Sequence, residues 1–303
     1  MFILRFQRDR AFNLRDLRDS ALPPAHAHRK WEALLSRSQS RVRPMSEVVC
    51  IATYKRDELL ALCLEAIRAQ DKEIPIMVFS DRGWESDDLR FLCLQENASL
   101  CYGIDDVGYG NSRNVIRAMW EGVIAPSAIV HFIEDDTILH PSYLDWARGM
   151  LATKRFAAVC GHVGNEQDTW YTSPCASWLP DKLQICLEAI PKGYLEARTR
   201  EEMQKILDDC ELFKKSKFRF GSAEQDGYFL RCIEHFGWKT SFPKKPLCTH
   251  LGWFGYNRPS HLGPIGNFEQ RVKWCRGILA SKQKRVEMFG KRIVDLEIEG
   301  ENA

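Results

Sequence analysis

Three consecutive acids, Glu134, Asp135 and Asp136, close an apolar run over residues 129–133. Carboxylates have no place in an apolar core. At the carboxyl end of a strand in an open α/β sheet they stand where ligands bind, and as hard oxygen donors they suit Mg²⁺ or Mn²⁺. A divalent ion held there bridges a diphosphate and neutralises the charge of a leaving group. Taken alone, the same triplet also fits a solvated turn with a helix cap ahead of Pro141.

A second polar tip follows the apolar run at residues 48–53, where Ala52, Thr53, Tyr54, Lys55 and Arg56 lead into a helical pattern. Small residues admit a nucleotide close to the backbone, and Arg56 is a phosphate partner; an ordinary strand-to-helix turn is the other reading. The next apolar run ends in Ser80, Asp81, Arg82 and Gly83. Asp81 there can accept from a base imide or simply form a turn before glycine. The loop at 108–114 carries Gly108 and Gly110 but no third glycine, so a nicotinamide fingerprint is weak. Arg113 or Asn114 still offers a nucleotide contact at the start of a helix, with Asn111 as an alternative cap.

Further along, Glu224, Gln225 and Asp226 open a helical stretch. His250 follows them as a metal or diphosphate ligand or as a satisfied core histidine, and His162, between Gly161 and Gly164, is a weaker case. Trp170, Tyr171, Trp178, Trp253, Phe254 and Tyr256 offer rings to stack on a sugar or base, or to fill the core.

The elements that position these residues read as strands alternating with amphipathic helices from residue 47 onward, the pattern of a mostly parallel sheet. Strands are predicted at 48–53, 74–80, 99–102, 128–133 and 157–162. Helices are predicted from Asp57 as cap, at 86–95, at 111–122, from Pro141 to about 152, at 198–215, at 225–235 and at 268–294.

The chain of 303 residues is 45% apolar, an ordinary globular composition. No run reaches the roughly 18 apolar residues of a membrane span, and the Arg-rich start lacks the apolar core of a signal peptide. The 11 cysteines never stand closer than eight positions, so no Cys-x-x-Cys metal pair exists, and buried thiols in a reducing cytoplasm are expected. The net charge of +2 hides an uneven distribution: +6 over residues 1–45, −6 over 46–266, +6 over 267–292 and −4 over the last eleven. Basic flanks favour a polyanionic partner or are simply solvated helical faces. The organisation expected is a basic N-terminal arm (1–45), a central domain (46–266) and a C-terminal helical extension (267–303).

Read in order, these parts resemble the GT-A glycosyltransferases, a Rossmann-like α/β fold. They are similar to the family 2 glycosyltransferases and, in the spelling Glu134-Asp135-Asp136, to the β-1,2-N-acetylglucosaminyltransferase I family. The likeness covers about residues 47–256. It implies that Ala52, Thr53, Tyr54, Arg56, Asp81, Arg113 and Asn114 surround a nucleotide-sugar donor, a UDP-sugar above all, and that Glu134 and Asp135 contact ribose and sugar. It also implies that Asp136, with His250, holds Mn²⁺ or Mg²⁺, and that Asp226 is the base for an inverting transfer to an acceptor hydroxyl. The segment reads Glu-Gln-Asp where family 2 members have Glu-Asp, which leaves Glu224 as a rival base. No membrane anchor is expected beside these motifs. A cytoplasmic enzyme is expected, with a hydroxymethylated pyrimidine in DNA, a glycan or a lipid-linked saccharide as acceptor. A GT-A-like nucleotidyltransferase lacks its glycine-rich loop here, and a non-catalytic nucleic-acid-binding protein leaves the ordered acids unexplained.

Overall fold

Val48–Thr53 is buried at every position, as a strand must be when helices cover both faces of its sheet. In the computed structural model, which describes residues 47–102, 112–162, 174–214, 224–250 and 268–281, this segment is β1, near the middle of a seven-stranded sheet. The other strands are β2 (Ile76–Ser80), β3 (Ser99–Tyr102), β4 (Val130–Glu134), β6 (Ala158–Cys160), β7 (Cys175–Trp178) and β8 (Thr240–Ser241), in the order β3-β2-β1-β4-β7-β6-β8. All pairs are parallel except those of β7 with β4 and β6. A separate antiparallel pair joins β5 (Thr137–Leu139) to β9 (Cys248–His250).

The expected mixed α/β architecture with a mostly parallel sheet is therefore present. The helices are α1 (Asp57–Gln70), α2 (Asp87–Gln95), α3 (Ser112–Ile124), α4 (Tyr143–Ala152), α5 (Pro180–Glu188), α6 (Arg200–Asp209), α7 (Gln225–His235) and α8 (Phe268–Leu279). Alternation along β1 divides the core. Val48, Cys50 and Ala52 join Val130, Phe132 and Trp178 beneath α3 and α7, while Val49 and Ile51 join Ile133 and Val159 beneath α1, α2 and α4. Helix α3 lies so close to the sheet that a Cβ on Gly122 would stand 2.6 Å from Val130 Cγ1 and 2.9 Å from Cys50 Sγ. Gly122→Ala is expected to lower unfolding free energy by about 1–3 kcal/mol through overpacking, read as a drop in the urea midpoint at unchanged slope.

Several sequence expectations are corrected. Asp57 is not the cap of α1; Arg56 occupies that position, and the Asp57 carboxylate accepts from Trp84 Nε1 at 3.2 Å and Ser86 Oγ at 2.5 Å. Ser86 is the cap of α2. Pro141 precedes the cap Ser142 of α4 and stands outside the helix. Trp178 is fully buried, so it packs and does not stack on a ligand. The strands β5, β7, β8 and β9 and the helix α5 have no counterpart among the predicted elements. The arm at 1–45, the glycine loop with Asn111, the aromatics Trp170, Tyr171, Trp253, Phe254 and Tyr256, and the basic stretch after residue 281 lie outside the described residues. Nine of the 11 cysteines are buried and all are free, as expected. Among the described residues no helix is long and apolar enough to cross a membrane.

A polar network runs from the core to the surface on the α4 side. His131, three residues upstream of the acids on β4, has Nδ1 2.7 Å from Ser177 Oγ and Nε2 3.2 Å from Glu47 Oε2, and Tyr143 Oη lies 2.6 Å from the same Ser177 oxygen. Arg148 donates to Glu47 at 2.8 Å, to Asp71 at 2.6 Å and to Asp145 at 2.9 Å. Burial alone would raise the Glu47 carboxyl, but hydrogen bonds and charge from His131 and Arg148 outweigh it and hold the pKa at about 2. A depressed carboxyl stabilises the fold above its unfolded pKa and loses that stability as pH falls toward the folded value. Denaturation midpoints are expected to fall between about pH 4.5 and 2, by about 2–3 kcal/mol in total. Glu47→Gln should flatten that limb; an unchanged pH profile in Glu47→Gln would assign the acid sensitivity elsewhere.

Candidate active site

β4 ends at Glu134, and Asp135 and Asp136 form the turn that leads into β5. Glu134, Asp136 and His250 each offer a ligand atom, and these atoms lie within 4.8 Å of one another. The strand pair β5–β9 makes the third ligand possible: Thr137, directly after Asp136, pairs in register with His250. His140 N–H donates to the Leu247 carbonyl at 3.0 Å, and His140 Nε2 stands 3.1 Å from Thr249 Oγ1, which fastens the two short strands together.

His250 Nε2 is 3.3 Å from Asp136 Oδ1 and 3.5 Å from Glu134 Oε2. Yet neither His250 Nε2 nor Asp136 Oδ1 makes a well-directed hydrogen bond among the described residues, although both atoms are buried. Burial by itself would lower the His250 pKa, but the charges of Asp136 and Glu134 raise it well above the usual imidazole value. The acids therefore favour the protonated imidazolium at this point.

Asp135 is fully buried. Thr53 Oγ1 donates to Asp135 Oδ2 at 2.7 Å, the Tyr54 N–H at 3.4 Å and Arg56 Nε at 3.2 Å, while Arg56 Nη2 lies 2.5 Å from Asp135 Oδ1. Arg56 Nη1 reaches Asp136 Oδ2 at 2.5 Å. Thr53 and Arg56, expected on a nucleotide, are thus engaged with the carboxylates. Burial pushes Asp135 up to about 7 against the opposing charge of Arg56. Burial would raise Asp136 as well, but the facing Arg56 and His250 prevail and hold it far below the ordinary carboxylate range, so Asp136 stays ionised.

The remaining predicted residues gather along the same carboxyl edge. Register pairs Ala52 with both Phe79 and Glu134, and Thr53 with Ser80. Asn114 Nδ2 donates to the Phe79 carbonyl at 2.8 Å, so its amide ties the start of α3 to the tip of β2. Arg113 lies beside it in the first turn of α3 and is half-buried. Asp81 opens a 3₁₀ turn after β2, with Arg82 Nε 3.8 Å from its carboxylate. Lys55 (φ +55°) and Arg82 (φ +49°) both adopt the left-handed region, a local cost of about 1–2 kcal/mol each that concentrates at functional edges. The Lys55 ammonium sits 5.0 Å from the Tyr54 ring and 5.4 Å from the Trp84 ring, and the Arg82 guanidinium 5.9 Å from Tyr54. Trp84 in this cation–aromatic cluster was not singled out from the sequence; its place just after the Asp-Arg-Gly turn was the available signal.

Ser112 Oγ donates to Gln225 Oε1 at 2.7 Å, joining the start of α3 to the start of α7. This buried bond explains the Glu-Gln-Asp spelling: the middle residue is a structural tether, and Glu224 and Asp226 flank it. Asp226 stands in the first turn of α7, where the macrodipole favours a carboxylate, and Glu224 is the cap position without a side-chain cap bond. Burial first, then the charges of Glu224 and Asp226, push the Tyr194 hydroxyl pKa up, so both acids act on one locality. His162 follows the buried Gly161 at the end of β6 and has no part in the metal-competent group among the described residues.

No protein-family profile and no curated protein sequence matches the chain. Solved structures similar to it include S. aureus TarS, at 13% identity and a TM-score of 0.41 over 55% of this chain and 40% of that one. The TarS 1-349 structure aligns at 12% identity and a TM-score of 0.47 over 82% of this chain and 76% of that one. The mannosyltransferase PcManGT from Pyrobaculum calidifontis, in complex with GDP-Man and Mn²⁺, aligns at 14% identity and a TM-score of 0.39 over 91% of this chain and 95% of that one. The chain spans 40% of the length of TarS and 56% of its 1-349 complex with UDP.

Proposed function

We propose that this chain is a metal-dependent GT-A glycosyltransferase that moves a sugar from a nucleotide donor to an acceptor hydroxyl with inversion. The observation that carries the reading is the convergence of Glu134, Asp136 and His250 at the carboxyl edge of the sheet, with two of their buried ligand atoms lacking directed hydrogen bonds. Two carboxylates and an imidazole are a donor set that fits Mn²⁺ or Mg²⁺, Mn²⁺ the more readily because of the nitrogen. When bound, the ion supplies charge neutralisation to the departing diphosphate.

The chain's own residues do the rest. Tyr54 and Trp84, with Lys55 and Arg82 over them, offer a flat cationic platform for a nucleobase and its phosphates. Asp81 accepts from the base. Asp226 takes the proton of the acceptor hydroxyl as its oxygen attacks the anomeric carbon, and the nucleoside diphosphate leaves from the opposite face. The basic stretches at 1–45 and 267–292 favour a polyanionic acceptor, of which a hydroxymethylated pyrimidine in DNA is the specific form.

The test is a panel of UDP-, GDP- and CDP-sugars with Mn²⁺ or EDTA, offered hydroxymethylated duplex DNA or a soluble glycan, with product release identified chemically. Nucleoside diphosphate released only with metal and acceptor supports the reading. Pyrophosphate release from a nucleoside triphosphate and a sugar phosphate would replace it with nucleotidyl transfer. Product on the glycan alone, with no effect of salt on DNA affinity, would remove nucleic acid as the acceptor.

A further inference from the structure

We propose that Arg56 is the resident counter-cation of the acidic centre, a positioning residue that fixes Asp136 and holds down its affinity for a free divalent ion. This rests on the reading that Glu134, Asp136 and His250 take such an ion. Arg56 makes contacts with two different carboxylates at once. Its Nε and Nη2 face Asp135, which is fully buried and outside the group of ligand atoms, and its Nη1 lies 2.5 Å from Asp136 Oδ2. The two oxygens of Asp136 therefore have different partners. Oδ2 belongs to Arg56, and Oδ1, without a directed hydrogen bond, faces His250 Nε2 at 3.3 Å.

Only a planar guanidinium, with several donors in a fixed fork, can span both carboxylates in this way; an ammonium acts as one point charge. The backbone delivers it there. The chain leaves β1 at Thr53 and turns through the left-handed Lys55, so Arg56 reaches the acids from the cap position of α1. Without Arg56, Glu134 and Asp136 would keep His250 alone as counter-charge in the ion-free protein and would hold a divalent ion more tightly once it arrived. A fixed positive charge among them stabilises the empty centre and weakens the hold on the ion, which favours exchange of metal with its anionic ligand at each turnover.

The experiment measures Mn²⁺ affinity of the full chain by the electron-spin signal of the free aquo-ion, with no nucleotide present, alongside the melting temperature in EDTA and in saturating Mn²⁺. Arg56→Gln keeps hydrogen-bonding capacity and removes the charge. It is expected to bind Mn²⁺ about tenfold tighter than the unsubstituted chain, to melt lower in EDTA, and to gain more from Mn²⁺. Arg56→Lys keeps the charge and is expected to stay within about threefold of the original affinity. A purely architectural role would lower the melting temperature in both conditions without tightening the metal, and equal or weaker Mn²⁺ binding by Arg56→Gln overturns the proposal. If Arg56→Gln does not fold even with Mn²⁺, Arg56→Lys decides, since a loss of more than about tenfold there is incompatible with a role through charge. Absence of Mn²⁺ binding by the unsubstituted chain is a separate outcome: it removes the metal reading itself.

Discussion

Asp136→Ala is expected to abolish metal-supported nucleotide binding and to reduce turnover by about three orders of magnitude or more. Asp136 is the member of the triplet that neighbours act to keep ionised, with Arg56 on one oxygen and His250 facing the other. Removing it deletes the carboxylate between Glu134 and His250 and leaves the two flanking groups too few to hold a divalent ion. The fold is expected to persist, because Arg56 keeps its contacts with Asp135. The measurement is nucleotide affinity with Mn²⁺ and with EDTA. The original chain should differ between the two conditions and the variant should not. If Asp136→Ala still binds Mn²⁺ and nucleotide together, the metal centre is elsewhere. Asp136→Asn, which keeps the volume and loses the charge, should behave like the alanine variant.

Asp226→Asn is expected to leave donor binding intact and to lower kcat by about 10²–10⁴, the range for losing a general base. The argument is positional. Ser112 and Gln225 tie the start of α7 to the start of α3, and Asn114 ties α3 to the tip of β2, so Asp226 is brought to the edge where the strands end. An amide has nearly the same shape as the carboxylate but cannot take a proton, so KM for the donor should change little while kcat falls. Glu224→Gln is the paired control. Full turnover in Asp226→Asn together with an inactive Glu224→Gln would move the base to Glu224, on the other side of the tethering Gln225.

Much of the frame was legible because local signals and global packing agree. The helix predicted at 225–235 is found as Gln225–His235, and residues 48–53 form the predicted strand, since a run of six apolar or small residues rich in β-branched types and too short for a helix suits a strand covered on both faces. Where sequence and structure part, tertiary pairing is the reason. Residues 137–139 and 248–250 are too short to announce themselves as strands; each becomes one only through the other, more than 100 positions away. The helix at 180–188 starts at a proline and has a mixed face that no periodicity marked.

The candidate site divides along the same line. By itself the sequence determined that acids end a buried strand at 134–136, that an arginine follows the first strand, and that a carboxylate opens a late helix, because residue type and order are written in the chain. Only the tertiary structure decided which groups each acid meets. The turn between β4 and β5 leaves Glu134 and Asp136 within reach of one another, the β5–β9 pair carries His250 to them, and the turn at Lys55 gives Arg56 to Asp135 and Asp136. These assignments depend on the direction in which a side chain points and on what arrives from distant sequence, and neither is set by a residue's own neighbours in the chain.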